Sequence, residues 1–120
     1  MKVIMIGDLH FGYGNDDPWI EKNIELFFTK LESYMLEHGI KNIIQLGDVF
    51  HDRRHITHRS MELKRRTFVR MVVENNFIAY VITGNHDAMY KETLQPNAIR
   101  ELFGTIDNFH VIDKPETFTI

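Results

Sequence analysis

Residues 2–10 read KVIMIGDLH, a short β-branched apolar run stopped by Gly7 and followed at once by Asp8 and His10. Such a run, bounded by a glycine and polar residues, reads as a buried strand at 2–6. The same pattern returns twice. Residues 41–46 (KNIIQL) close on Gly47-Asp48, and residues 77–83 (FIAYVIT) close on Gly84-Asn85-His86-Asp87. Each strand therefore hands a glycine turn and then a polar cluster to whatever lies beyond its carboxyl end.

Helical patterns fill the gaps between these strands. After the loop FGYGNDD, Pro18 suits the first turn of a helix, where its missing N–H costs nothing. Ile20, Ile24, Phe27, Phe28, Leu31 and Met35 then recur at helical spacing, and Gly39 supplies the stop. Met61, Phe68, Met71 and Val72 mark a second helix that begins near Thr57, with Ser60 as the rival N-cap. A shorter helix is expected around 96–103, then strand-like runs at 109–112 and 117–120. The order βαβαβ followed by αββ predicts an α/β layered fold with a largely parallel sheet. Residues 1–120 show no repeat, linker or low-complexity tract, and so read as one domain. The last strand-like run ends the sequence without a covering helix, so the fold is expected to be the N-terminal portion of a larger one.

Composition narrows the chemistry. The 120 residues are 43% hydrophobic and 26% charged, which suits a folded core rather than a disordered chain. The absence of cysteine excludes disulfides, zinc ribbons and thiol catalysis, and leaves Asp, Glu, Asn and seven His as the means of building any metal site. No apolar run approaches the roughly 20 residues that span a bilayer, and MKVIMIGDLH turns polar too soon for a signal peptide. The expectation is a cytoplasmic chain without a membrane partner. Net charge is −3, but it is unevenly spread. Arg53, Arg54, Arg59, Lys64, Arg65, Arg66 and Arg70 crowd one stretch, whereas Asp16, Asp17, Glu21, Glu25, Glu32 and Glu37 precede it. Local basicity can attract phosphate even on an acidic chain.

In open α/β sheets, ligands bind in the crevice beyond the carboxyl ends of the strands. Three neighbouring parallel strands would bring Asp8, His10, Asp48, Asn85 and His86 to one such crevice. Asp8 and His10 are two residues apart, so in extended geometry they face one side and can grip one ion. Asp48 has two carboxylate oxygens with which to bridge two ions. A neutral carbonyl from Asn85 suits Mn²⁺ or Mg²⁺ better than a soft metal. Two such ions about 3.5–4 Å apart activate a water and stabilise the leaving oxygen of a phosphoester, and His86 is placed to donate a hydrogen bond or a proton. Singly, each cluster is as well explained by an Asx-type turn. Their shared position after three consecutive strands favours the metal reading.

Taken in order, GDLH, GDVFHDRR and GNHD resemble the first three signature motifs of the calcineurin-like metallophosphoesterases. Within them, GDVFHDRR followed by ITHRSME is similar to the SbcD-type nucleases of double-strand-break repair, and most of all to those of phage recombination. Asp17-Pro18-Trp19-Ile20, Ile44-Gln45-Leu46, Ile56-Thr57-His58, Tyr90-Lys91 and Pro96-Asn97-Ala98 extend the likeness. It implies that Asp8 and His10 bind a first metal, that Asp48 bridges, and that Asn85 binds the second. It further implies that His86 is the catalytic histidine and that His51 helps to process DNA ends, while Asp87 orients His86 or holds its loop. Two divalent ions, Mn²⁺ foremost and Mg²⁺ next, would be the cofactors. DNA, an SMC-like ATPase subunit and a second copy of the chain would be the partners, in the host cytoplasm if the protein is phage-encoded.

The family completes its metal site with three later histidines, two of them in Gly-His-x-His. This sequence has no Gly-His-x-His, and His110, the one histidine after His86, reads as a surface strand residue. His51, His55 and His58 sit among Arg53, Arg54 and Arg59, a stretch that reads as a DNA-facing loop, as a solvated charged face, or as a source of a substitute metal ligand. Met61, Phe68 and Met71 could serve a docking surface, but core packing explains them better. The expected function is a metal-dependent DNA nuclease subunit that hydrolyses phosphodiester bonds in double-strand-break repair or phage recombination. The alternatives are a non-catalytic domain that binds DNA or the ATPase, and a phosphoesterase acting on a small molecule or phosphoprotein.

Overall fold

The computed structural model describes residues 1–49, 56–82, 103–112 and 117–120. Four strands, β1 (Val3–Ile6), β2 (Asn42–Gln45), β3 (Ile78–Ile82) and β4 (Phe109–Ile112), form one sheet in the order β1-β2-β3-β4. Every neighbouring pair is parallel, with Ile4 beside Ile43, Ile43 beside Ala79, and Ala79 beside Phe109. The helices of the two described crossovers, β1 to β2 and β2 to β3, pack into one core with the same sheet face. The α/β layered, largely parallel fold read from the sequence is the fold observed.

The first connection holds a single helical turn, α1 (Tyr13–Asp16), within what the sequence showed as a loop, and then the long helix α2 (Pro18–His38). Asp17 caps α2 by accepting the Trp19 N–H at 2.8 Å, and Pro18 occupies the first turn. Gly39 ends it in the left-handed conformation at φ 66°, which lets the Ile40 N–H reach the Met35 carbonyl at 2.9 Å. The second connection is α3, residues 58–74, in which α-helical His58–Lys64 and Arg70–Glu74 flank a π-helical turn, Arg65–Val69. Thr57 is its N-cap and accepts the Ser60 N–H at 3.0 Å, which decides between the two caps the sequence offered.

The core lies between the helices and one sheet face. A row of rings crosses it: Phe11 against Phe28, Phe28 against Phe68 at 5.5 Å, and Phe68 against Phe103 and Phe109. Fully buried Ile43, Ala79 and Val81 form the sheet side of this layer. Phe68 and Met71 are sealed within the core, so they offer no docking surface, whereas Met61 is exposed. On the opposite face the row Met5, Ile44, Tyr80 and His110 runs across all four strands, and Met5 is 63% exposed. The expected strand at 117–120 is not formed. Instead Phe118 stacks on Tyr80 at 4.6 Å, so that this segment meets the sheet through a ring rather than through backbone pairing. The helix expected around 96–103 falls almost wholly outside the described residues.

The acidic and basic runs that stand apart in the sequence meet here. Arg59 binds Glu21 at 2.7 Å, Arg66 binds Glu25, and Arg70 binds Glu32 at 3.0 Å, forming a seam between α3 and α2. Arg65 turns back to Glu62 within its own helix. No described helix is long and apolar enough to cross a membrane.

Candidate metal centre

At the carboxyl ends of β1 and β2 the backbone turns sharply. Gly47 adopts φ 114°, a conformation barred to other residues by their Cβ, and its peptide is clasped by the side chain of Gln45. The fully buried Gln45 amide donates to the Gly47 carbonyl at 2.7 Å and accepts the Gly47 N–H at 2.8 Å. That two-sided grip satisfies two backbone groups at once and fixes the direction in which the chain delivers Asp48.

The two loops then run side by side. The Leu46 N–H donates to the Ile6 carbonyl at 2.8 Å, the His10 N–H to the Asp48 carbonyl at 2.9 Å, and the Phe11 N–H to the Val49 carbonyl at 2.8 Å. Strand pairing is in effect continued past the sheet, so Asp8 and His10 cannot drift independently of Asp48. Phe11 and Val49, directly beyond the site, are buried and root both loops in the core.

Asp8, His10 and Asp48 present one ligand atom each within 4.8 Å of one another. The His10 imidazole Nε2 stands 4.0 Å from Asp8 Oδ1. Asp8 is largely exposed and His10 is not, so the cluster opens to solvent on the Asp8 side. Two carboxylates and an imidazole are hard and borderline donors that suit Mn²⁺, Mg²⁺ or Zn²⁺, and the residues present fit a divalent cation.

All three of these residues have left-handed backbones, with φ 51° at Asp8, 49° at His10 and 53° at Asp48. Asp and His tolerate this region better than most side chains, yet each such residue still costs on the order of 1 kcal/mol. In the described part of the chain, the other non-glycine residues with positive φ are Asp16 and Asn76. Strain concentrated on the three side chains that converge marks the rim as a place where geometry is kept at the expense of stability. The sequence pattern located these residues but carried no sign of their φ angles or of the Gln45 clasp.

The remaining expected site residues divide by position. Asn85, His86 and Asp87, and also His51, Arg53, Arg54 and His55, lie outside the described residues. β3 runs parallel beside β2 and carries the chain toward this same rim. Arg59, expected to face DNA, is engaged by Glu21, whose side chain is only 11% exposed. His58 opens α3, and His110 is exposed on β4 as the sequence suggested; neither joins the cluster.

Comparison with known proteins bears on the fold and the family. A family profile described as calcineurin-like phosphoesterase matches residues 1–118. Exonuclease subunit 1 of Enterobacteria phage T4 is 39% identical over 118 residues, covering 98% of this chain and 34% of that protein. The crystal structure of Pseudomonas putida nuclease MPE aligns with a TM-score of 0.56 at 19% identity, over 97% of this chain and 50% of that one. The chain thus spans about a third of the phage relative and half of the solved nuclease.

Proposed function

The chain belongs to the calcineurin-like phosphoesterase family, and from that premise we propose that it carries the first ligands of a two-metal centre in an Mn²⁺-dependent DNA nuclease. The observation that carries the reading is the convergence of Asp8, His10 and Asp48 on backbone conformations that folding alone would avoid. The likeness to a phage exonuclease subunit supports DNA as the substrate.

In this reading Asp8 and His10 would hold one ion, Asp48 would serve both, and Asn85 would contribute to the second. A pair of divalent ions held there supplies Lewis acidity toward the phosphoryl oxygens and a water that ionises near neutral pH. With the ions bound, phosphodiester hydrolysis would be the chemistry on offer, and His86 would donate the proton that the departing oxygen needs. His51 steers the DNA end, and Arg53 and Arg54 hold backbone phosphates through their paired N–H donors. The work of the fold is to keep Asp8, His10 and Asp48 in register through the Gln45 clasp and the paired loops. An SMC-like ATPase partner and a second copy of the chain belong to the same reading, as does a role in break repair or recombination.

Incubation with Mn²⁺ and linear duplex DNA, beside Asp48→Ala, tests the proposal. Metal-dependent cleavage that disappears in the variant is the expected result. DNA binding without cleavage would instead favour a non-catalytic domain, and release of phosphate from a generic monoester with no action on DNA would favour a small-molecule phosphoesterase.

A further inference from the structure

The Asp17-Pro18-Trp19-Ile20 stretch is only partly explained by helix initiation. Asp17 caps α2 and Pro18 opens it, but Trp19 is 73% exposed and contributes nothing to the core. Tyr13 and Phe27 are exposed beside it at 55% and 42%. These three rings border one cavity of about 550 Å³, within the size range of small-molecule sites. Leu9 and Ile20 line it too, and Asp8 stands on its wall. A second depression of about 340 Å³, which includes His10, shares Asp8, Leu9, Tyr13 and Ile20 with the first. One continuous groove therefore runs from the metal-ligand cluster to Trp19 and Phe27.

The groove is built for presenting Tyr13. Gly12 and Gly14 take φ 95° and 73° on either side of it, and a Cβ on Gly14 would come within 2.7 Å of the Ile20 Cδ1. That close approach brings the α1 turn down onto α2 beside Trp19.

We propose that this groove seats the base of the nucleotide whose phosphate lies at the Asp8–His10–Asp48 cluster. The proposal rests on the nuclease reading for its phosphate end and adds a subsite for the base. A ligand that fits must be anionic at one end and flat, apolar-faced and uncharged at the other. The wall is aromatic and aliphatic apart from the neutral Asn23 amide, and its one carboxylate, Asp8, lies at the metal end. Every base has a π-face, and aromatic stacking binds bases with little regard to sequence. The site therefore favours any terminal nucleotide over an abasic one.

Trp19 is the single tryptophan of the chain, so its emission reports on this groove alone. The protein is titrated with deoxyadenosine monophosphate and with deoxyribose 5-phosphate, each with and without Mg²⁺, and affinities are read by Trp19 emission and by calorimetry. The expected result is saturable quenching by the nucleotide and a preference over the abasic phosphate of about tenfold or more. In Trp19→Ala, read by calorimetry, the preference falls close to unity while affinity for Mn²⁺ alone stays unchanged. Phe27→Ser is expected to lower it in the same direction. Equal affinity for the two ligands in the parent protein, or a preference that survives Trp19→Ala, would overturn the base subsite. Failure to bind Mn²⁺ would overturn the metal reading separately, because the base preference is also read without metal.

Discussion

The rim beyond β1 and β2 and the seam between α2 and α3 are both rich in charge, yet they treat it in opposite ways. Along the seam each arginine faces a glutamate: Arg59 with Glu21, Arg66 with Glu25, Arg70 with Glu32. At the rim, two carboxylates and an imidazole are crowded together on left-handed backbones, with Asp8 open to solvent. The seam settles its own electrostatics, whereas the rim gathers negative charge that a cation would relieve. The difference separates charge that holds the fold from charge held ready for a ligand.

The largest expected effect on folding comes from the element that supports the rim from below. Gln45→Leu removes both hydrogen bonds to the Gly47 peptide and leaves a buried N–H and C=O unpaired. The expected cost is about 2–4 kcal/mol in denaturant unfolding, together with weaker Mn²⁺ binding. A loss of stability with Mn²⁺ affinity intact would show that the clasp serves the fold and not the site.

The seam is expected to respond less, and unevenly. Arg59→Ala strands the nearly buried Glu21 carboxylate and is expected to lower the unfolding midpoint in denaturant. Arg65→Ala breaks an exposed pair within one helix and is expected to leave the unfolding midpoint almost unchanged. The same Arg59 variant examines its expected DNA contact. If Glu21 engages it fully, the dependence of DNA affinity on log salt is unchanged; a slope smaller by about one would return Arg59 to the DNA interface.

How much of this was legible beforehand follows from the range over which each feature is set. The strands, the Thr57 cap, the Gly39 stop and the parallel order are local or nearly so, and KVIMI, KNIIQL and FIAYVIT announce them. Asp8 and Asp48 were legible because each follows a glycine at a strand end, and His10 because it stands two residues beyond Asp8. The seam was not, since its partners are 38 to 41 residues apart and meet only once two crossover helices lie side by side. Their spacing holds the clue in retrospect: residues 59, 66 and 70 share one helical face, as do 21, 25 and 32. The basic run alone leaves a DNA-facing loop and a solvated charged face both open, because its acidic complement sits on another helix. The strand expected at 117–120 is a different case: the alternation Thr-Phe-Thr-Ile suits a strand, but the segment meets the sheet through the Phe118 ring on Tyr80.

The smallest effect is a pH dependence within the seam. A hydrogen bond from Arg70 holds the Glu32 carboxyl below its ordinary value of 4.5, with Asn75 adding to it against the opposing effect of burial. A carboxylate with a lowered folded pKa contributes stability that is present above 4.5 and is lost as pH falls through the folded value. Glu32→Gln is therefore expected to flatten the acid limb of the stability profile below that pH while changing little at pH 7 beyond the lost ion pair. An unchanged acid limb would show that Glu32 is titrating as a free carboxylate.

If Asp8, His10 and Asp48 trade backbone comfort for a metal site, Asp48→Gly exposes the trade, because glycine keeps the φ of 53° without strain. Thermal unfolding is measured for parent and variant, each with and without Mn²⁺. Mn²⁺ is expected to raise the parent's Tm and leave the variant's unchanged, while the metal-free variant is as stable as the parent or up to about 1 kcal/mol more so. An equal Mn²⁺ shift in both proteins, or a metal-free variant markedly less stable than the parent, would contradict the trade.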